Sequence, residues 1–154
     1  MNKTFEKIVL FIAQGAYSGR FPMAPGTAGT AVGMLLYLLV KGLPSLWYGA
    51  VFAAVTLIGT WAAGAADRVL GTKDNPTIVI DEIAGYLLAM FLIPFAWWAV
   101  IAGFVLFRFF DILKPWPIDR LQSIPGGLGV MLDDIVAGIY ANIFFQIALV
   151  NFGP

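Results

Sequence analysis

Two acidic pairs stand out in this chain: Asp81-Glu82 and Asp133-Asp134, each followed by a long stretch without charge. Between them lies a third group, Arg108, Asp111 and Lys114, whose i,i+3 steps put all three on one helix face. Charges beside membrane-depth apolar sequence are costly and are usually there for function. Several carboxylates brought together repel one another unless a cation neutralises them. Carboxylate oxygens and water suit a hard divalent cation such as Mg²⁺, and arginine and lysine suit an anion. Acids for a metal with bases for an anion is the inventory of phosphoryl transfer. Asp81, Glu82, Asp133 and Asp134 are therefore the candidate metal ligands, with basic groups beside them and a lipid head group as the partner expected at an interface.

Two glycine-rich segments extend the constellation. Residues 19–30 read GRFPMAPGTAGT, and residues 126–138 read GGLGVMLDDIVAG. Glycine and threonine there, Thr27 and Gly127 among them, can offer backbone N–H groups and hydroxyls to an anion, with Arg20 as a charge partner. The second segment is not a Walker loop, because the Lys-Ser/Thr pair is missing. Plainer explanations exist for each piece alone. A glycine-rich turn can simply precede a membrane helix. Carboxylates in a first helical turn offset the helix dipole by roughly 0.3–1 kcal/mol. Arg108 with Asp111 could be an ion pair snorkelling at a membrane boundary. None of these explains why all recur together.

The inventory also excludes much. The chain has no cysteine and no histidine, so disulfides, thiolate or imidazole catalysis and Cys/His zinc sites are ruled out. Net charge is zero, which suggests no nucleic-acid partner.

The elements that must position these residues are helical and apolar. Of 154 residues, 60% are hydrophobic and 12% charged, against about 25% charged in an ordinary soluble domain; the mean hydropathy is +0.88. Length implies one domain over residues 1–154. Charge-free runs cover residues 28–40, 46–66, 83–107 and 135–150. The second is long enough to span a bilayer, which takes roughly 20 residues; the first and last are short and call for tilt or local thinning. The third contains Pro94 and then FAWW. It reads either as one tilted helix or as a hairpin turning near residues 94–98. The hairpin leaves only Lys41 opposite the other eight basic residues, as the positive-inside bias favours. The expected architecture is all-α: a polytopic membrane protein of four to five segments including that short hairpin, its active face towards the cytoplasm. Residues 2–18 are expected to form an interfacial amphipathic helix. Lys3 and Lys7 precede a stretch too short, and lacking the cleavage site, for a signal peptide. Within the helices, Asp81, Gly85 and Ala89 form one four-residue stripe, and Asp134, Gly138, Asn142 and Gln146 another, the kind of surface that lets helices approach closely.

Four motifs, GRFPMAPGTAGT, PTIVIDEIAG, FRFFDILKPWPI and GGLGVMLDDIVAG, resemble those of the phosphatidylglycerophosphatase A family, in the family's order and over residues of about 15 to 142. The resemblance implies an all-helical bacterial inner-membrane enzyme that hydrolyses phosphatidylglycerophosphate, a phospholipid, to phosphatidylglycerol and phosphate with Mg²⁺. On that expectation Asp81, Glu82, Asp133 and Asp134 hold one or two ions, and Asp111 is a further ligand or a base. Arg108, Lys114 and Arg20 then neutralise the phosphate. Spacing does not choose between direct attack by water and a covalent aspartyl-phosphate.

Two other readings compete. A CDP-alcohol phosphotransferase also places aspartates and Mg²⁺ at membrane helix ends, but its extended D-G-x-x-A-R run is absent. An ion-coupled transporter would carry intramembrane acids, yet its site belongs near the midplane between repeats, and no repeat is visible.

Overall fold

A computed structural model describes residues 2–73, 75–121 and 123–152. Every regular element among them is helical: α1 (Lys3–Ala13), a 3₁₀ turn (Ser18–Arg20), α2 (Pro25–Val40), α3 (Ser45–Leu70), α4 (Ile80–Ala89), α5 (Trp97–Leu113), α6 (Ile118–Leu121) and α7 (Gly127–Phe152).

α1 begins where the Asn2 side chain accepts from the Thr4 N–H at 3.0 Å, an N-cap. It buries Val9 and Ala13 and leaves Phe5, Ile8 and Phe11 outside, and Phe5 meets Trp61 of α3 edge-on. The helix stops at Ala13 and does not reach residue 18, because Gly15, Ala16 and Tyr17 all take left-handed φ values. α2 opens with Pro25, which suits a first turn because its missing N–H has no helical partner anyway.

Residues 83–107 form no continuous helix. α4 ends at Ala89, ahead of Leu92 in a left-handed conformation, φ 61°, and Pro94, which has no N–H to continue the ladder; the Asn142 amide caps the freed carbonyls of Ala89 and Phe91, at 3.0 and 2.7 Å, and α5 starts at Trp97. The two helices run antiparallel: the Tyr86 hydroxyl donates to the Val100 carbonyl at 3.0 Å, and Gly85 lies against Phe107. The break, residues 90–96, comes a few residues before the expected turn.

Glycines set how closely the helices pack. A Cβ on Gly85 would lie 2.7 Å from the Asp134 carbonyl oxygen, and one on Gly138 2.4 Å from that of Gly85. With Asn142 against Ala89, the two small-residue stripes face each other and α4 runs parallel to α7. Gly29 and Gly33 let α2 pack on Val79 and Ile83, so α2 lies parallel to α4 as well. α3 returns in the opposite sense, with the Tyr48 hydroxyl on the Leu87 carbonyl at 2.6 Å and Gly59 against Ile80. The core lies between these helices, centred on Tyr86, Leu87 and Phe107 towards one end and on Ala62, Ala66 and Met131 towards the other.

Among the described residues two helices, α3 and α7, are long and apolar enough to cross a membrane. α7 is longer than its charge-free run because the helix continues back through Asp134 and Asp133 to Gly127. α2 is apolar but has only 16 residues, about 24 Å at 1.5 Å per residue. Outward-facing apolar side chains are abundant, including Leu57 and Ile58 on α3, Ile101 and Val105 on α5, and Ile143 and Ile147 on α7.

Candidate active site

The parallel run of α2, α4 and α7, with α5 returning, brings the polar ends of four helices to one cavity of about 480 Å³. α4 supplies Asp81 and Glu82 from its first turn. α7 supplies Asp133 and Asp134 from its second turn, one turn deeper than a helix-opening pair. α5 supplies Arg108 and Asp111 from its last turns and Lys114 from just beyond. The first turn of α2 closes one wall with Gly26 and Thr27, and the segment before α4 adds Asn75, Pro76 and Ile78.

Asp81, Glu82 and Asp134 each place a carboxylate oxygen so that all three lie within 4.8 Å of one another. Asp81 Oδ1, Glu82 Oε2 and Asp134 Oδ2 are buried and accept no hydrogen bond among the described residues. Three converging anionic donors with unsatisfied buried oxygens fit a divalent cation bound through oxygen.

Asp133 is placed differently. Its Oδ2 accepts from Lys114 Nζ at 2.7 Å and its Oδ1 from the Asp134 N–H at 3.1 Å, so both oxygens are engaged. Lys114 reaches it from a left-handed backbone conformation, φ 45°, uncommon outside glycine and strained for a long side chain. Burial pulls the Lys114 ammonium down, but the hydrogen bond and charge of Asp133, with Asp134 and Asp111 nearby, outweigh it and hold the group above the usual lysine value. Arg108 donates to Asp111 at 2.5 Å and lies 3.9 Å from Glu82; its Nε is buried without a partner among the described residues.

Gly26 was not singled out by its motif, yet it is where α2 meets the charges. A Cβ there would stand 2.4 Å from Glu82 Oε1 and 3.0 Å from an Arg108 terminal nitrogen. The N–H groups of Gly26 and Thr27 lie in a first turn, where no helical carbonyl is available to them. Asn75 is a second unanticipated wall residue. Its only signal is an Asn-Pro step in a polar loop.

Two expected residues lie elsewhere. Arg20 does not line the cavity: its Nε donates to Gln14 Oε1 at 2.8 Å and its guanidinium stacks on Tyr17 at 4.2 Å. Gly127 packs on α3, where a Cβ would lie 1.9 Å from the Thr60 carbonyl oxygen; it is a helix-contact glycine.

An apolar helical protein with clustered carboxylates, Arg108 and Lys114 around one cavity has the make-up of an enzyme acting on phosphate esters. Residues 11–149 match the family Phosphatidylglycerophosphatase A. The chain is 36% identical over 150 residues to a phosphatidylglycerophosphatase A of Haemophilus influenzae, covering 92% of each. It is 38% identical over 130 residues to that of Escherichia coli, covering 83% of this chain and 76% of the relative. A Bacteroides thetaiotaomicron protein named "Putative phosphatidylinositol-3-phosphatase" is 37% identical over 147 residues, covering 90% of this chain and 92% of its own. No solved structure matches the chain significantly. The chain belongs to the phosphatidylglycerophosphatase A family, as its four motifs suggest, and is a phosphatase.

Proposed function

We propose that this phosphatase removes the terminal phosphate of phosphatidylglycerophosphate, giving phosphatidylglycerol and inorganic phosphate, as a Mg²⁺-dependent step of phospholipid biosynthesis. The observation that carries the reading is the convergence of Asp81, Glu82 and Asp134 in one cavity with Arg108, Lys114 and the first turn of α2. Asp81, Glu82 and Asp134 would hold the cation. A bound divalent cation supplies Lewis-acid charge at phosphoryl oxygens and lowers the pKa of water. The Gly26 and Thr27 N–H groups, at the positive end of α2, receive the phosphate, and Arg108 offsets charge as it shifts to the leaving oxygen. Asp111 fixes the Arg108 guanidinium, and Lys114 is fixed by Asp133.

The membrane reading belongs to the same proposal. α2, α3, the α4–α5 hairpin and α7 form five membrane segments, with α1 lying in the interface. The cavity faces the cytoplasm at the bacterial inner membrane, where Lys3, Lys7 and the basic residues near the cavity follow the positive-inside bias. The apolar side chains facing outward on α3, α5 and α7 support it.

The test is phosphate release by the purified protein in detergent, with phosphatidylglycerophosphate, phosphatidylinositol 3-phosphate or phosphatidic acid, with Mg²⁺ or with EDTA. Release from phosphatidylglycerophosphate that requires Mg²⁺ is expected. Release from phosphatidylinositol 3-phosphate alone would transfer the assignment to the activity named for the Bacteroides relative, and release undiminished by EDTA would remove the metal.

A further inference from the structure

Arg20 carries a full charge but is not among the residues that line the cavity; its guanidinium is held by Gln14 and stacks on Tyr17. The cause is local. Gly15, Ala16 and Tyr17 hold φ values of 51°, 54° and 67°; two of them are not glycine, and each such residue costs on the order of 1–3 kcal/mol. This left-handed turn folds the chain back at the end of α1, so that the Gly19 N–H donates to the Gln14 carbonyl at 3.1 Å and Arg20 reaches the Gln14 side chain.

Gln14 is 3% exposed and both ends of its amide are used. Arginine can only donate, so the atom facing Arg20 Nε at 2.8 Å is Oε1, and Nε2 must face Thr77. It donates to Thr77 Oγ1 at 2.9 Å. The Thr77 hydroxyl in turn donates to Asn75 Oδ1 at 2.7 Å, which also takes the Thr77 N–H at 3.0 Å. Asn75 lines the cavity. Each donor in this relay leaves its acceptor oriented for the next, the condition under which hydrogen bonds reinforce one another. The Val79 N–H, donating to the Ala13 carbonyl at 2.9 Å, fastens the same segment two residues before Asp81.

Resting on the function proposed above, we infer that Arg20 and Gln14 are positioning residues. They act through Thr77 and Asn75 on the cavity wall and on the start of α4, and Arg20 makes no contact with the phosphate. A phosphate contact and a positioning role separate kinetically. Arg20→Ala and Gln14→Met are each expected to lower kcat about tenfold, the size of one or two lost hydrogen bonds, with KM and the inhibition constant of inorganic phosphate within about twofold of wild type. The double variant is expected to be no slower than the slower single one, because both cut one relay. A tenfold rise in the phosphate inhibition constant for Arg20→Ala alone, or effects that multiply in the double variant, would overturn the inference. If Gln14→Met does not fold, Thr77→Val tests the same link, and Thr77→Ser, which keeps the hydroxyl, recovers what Thr77→Val loses. A second readout needs no substrate: amide hydrogen exchange over residues 75–79 rises in Arg20→Ala and Gln14→Met while that of α7 stays at wild-type values. Unchanged exchange at 75–79 refutes the relay. Raised exchange in a protein that releases no phosphate from phosphatidylglycerophosphate sustains the relay and removes only the substrate.

Discussion

Removing one charge at a time from Asp133 and Asp134 separates two kinds of work done by neighbouring residues. Asp134 points an unpartnered oxygen into the carboxylate cluster, whereas Asp133 is spent on Lys114. Asp134→Asn is expected to lower phosphate release by about 10²-fold or more, as loss of a charge-stabilising group at a reacting centre does, and Asp133→Asn by about tenfold or less. The melting temperature in detergent supplies an independent check. Mg²⁺ raises it for wild type by mass action, and Asp134→Asn abolishes that rise; an equal Mg²⁺ shift in both proteins would remove Asp134 from the metal site. Lys114→Met leaves the Asp133 charge buried and unpaired and is expected to cost about 1–3 kcal/mol of stability. Adding Asp133→Asn to Lys114→Met recovers most of that loss, and thermal melting of the two variants decides it. With Arg20 the exception, residue types drew attention to the charged groups that line the cavity, because carboxylates and guanidinium in apolar surroundings have few other uses. They did not disclose which acid takes the lysine. That depends on a one-residue step around α7, about 100° of rotation, and on the left-handed turn at Lys114.

Between elements, the decisive contacts are glycine on backbone. The stripes Asp81-Gly85-Ala89 and Asp134-Gly138-Asn142 were readable as four-residue repeats, and their small residues announced close approach. That they face each other was not readable, since a stripe names no partner; their register is fixed by Gly138 on the Gly85 carbonyl and by Asn142 on Ala89. Gly138→Ala forces α7 away from α4 because the obstructing atom is backbone and cannot rotate aside. The expected cost is about 1–3 kcal/mol together with lost turnover, since Asp134 moves with the helix. Gly49→Ala, on α3 with nothing within 4 Å of the added methyl, is the control and is expected to leave melting temperature and activity at wild-type values or above. If the two substitutions melt alike, the contact is not what holds the register. The turn comes a few residues before Pro94, the breaker visible in the sequence, because Leu92 is already left-handed; the carbonyls freed there are capped by Asn142, which is distant in sequence. Gly127 shows the mirror case. A run of glycines before a helix resembles an anion loop, and only the proximity of Thr60 shows that the missing side chain makes room for α3.

For the molecule as a whole, the arrangement of helices sends the charges to one end. Asp81, Arg108, Asp111, Lys114, Asp133 and Asp134 share a cavity. Lys41 lies at the other end, its ammonium 3.6 Å from the centre of the Phe95 ring, next to the α4–α5 break. If the chain sits in a bilayer as proposed, the two ends are on opposite sides, and the absence of native cysteine makes the sidedness directly measurable. Leu43, exposed between α2 and α3, is expected on the outer face, and Asp119, exposed in α6, on the cytoplasmic face. Leu43→Cys should react with a membrane-impermeant maleimide in cells whose inner membrane is intact, while Asp119→Cys reacts only after that membrane is permeabilised. Labelling of Asp119→Cys from outside, with Leu43→Cys protected, would invert the orientation and put the phosphatase cavity outside the cytoplasm. Equal labelling of both from one side would mean that an even number of segments crosses between them, which rules out the three crossings by α3, α4 and α5 and with them the proposed topology.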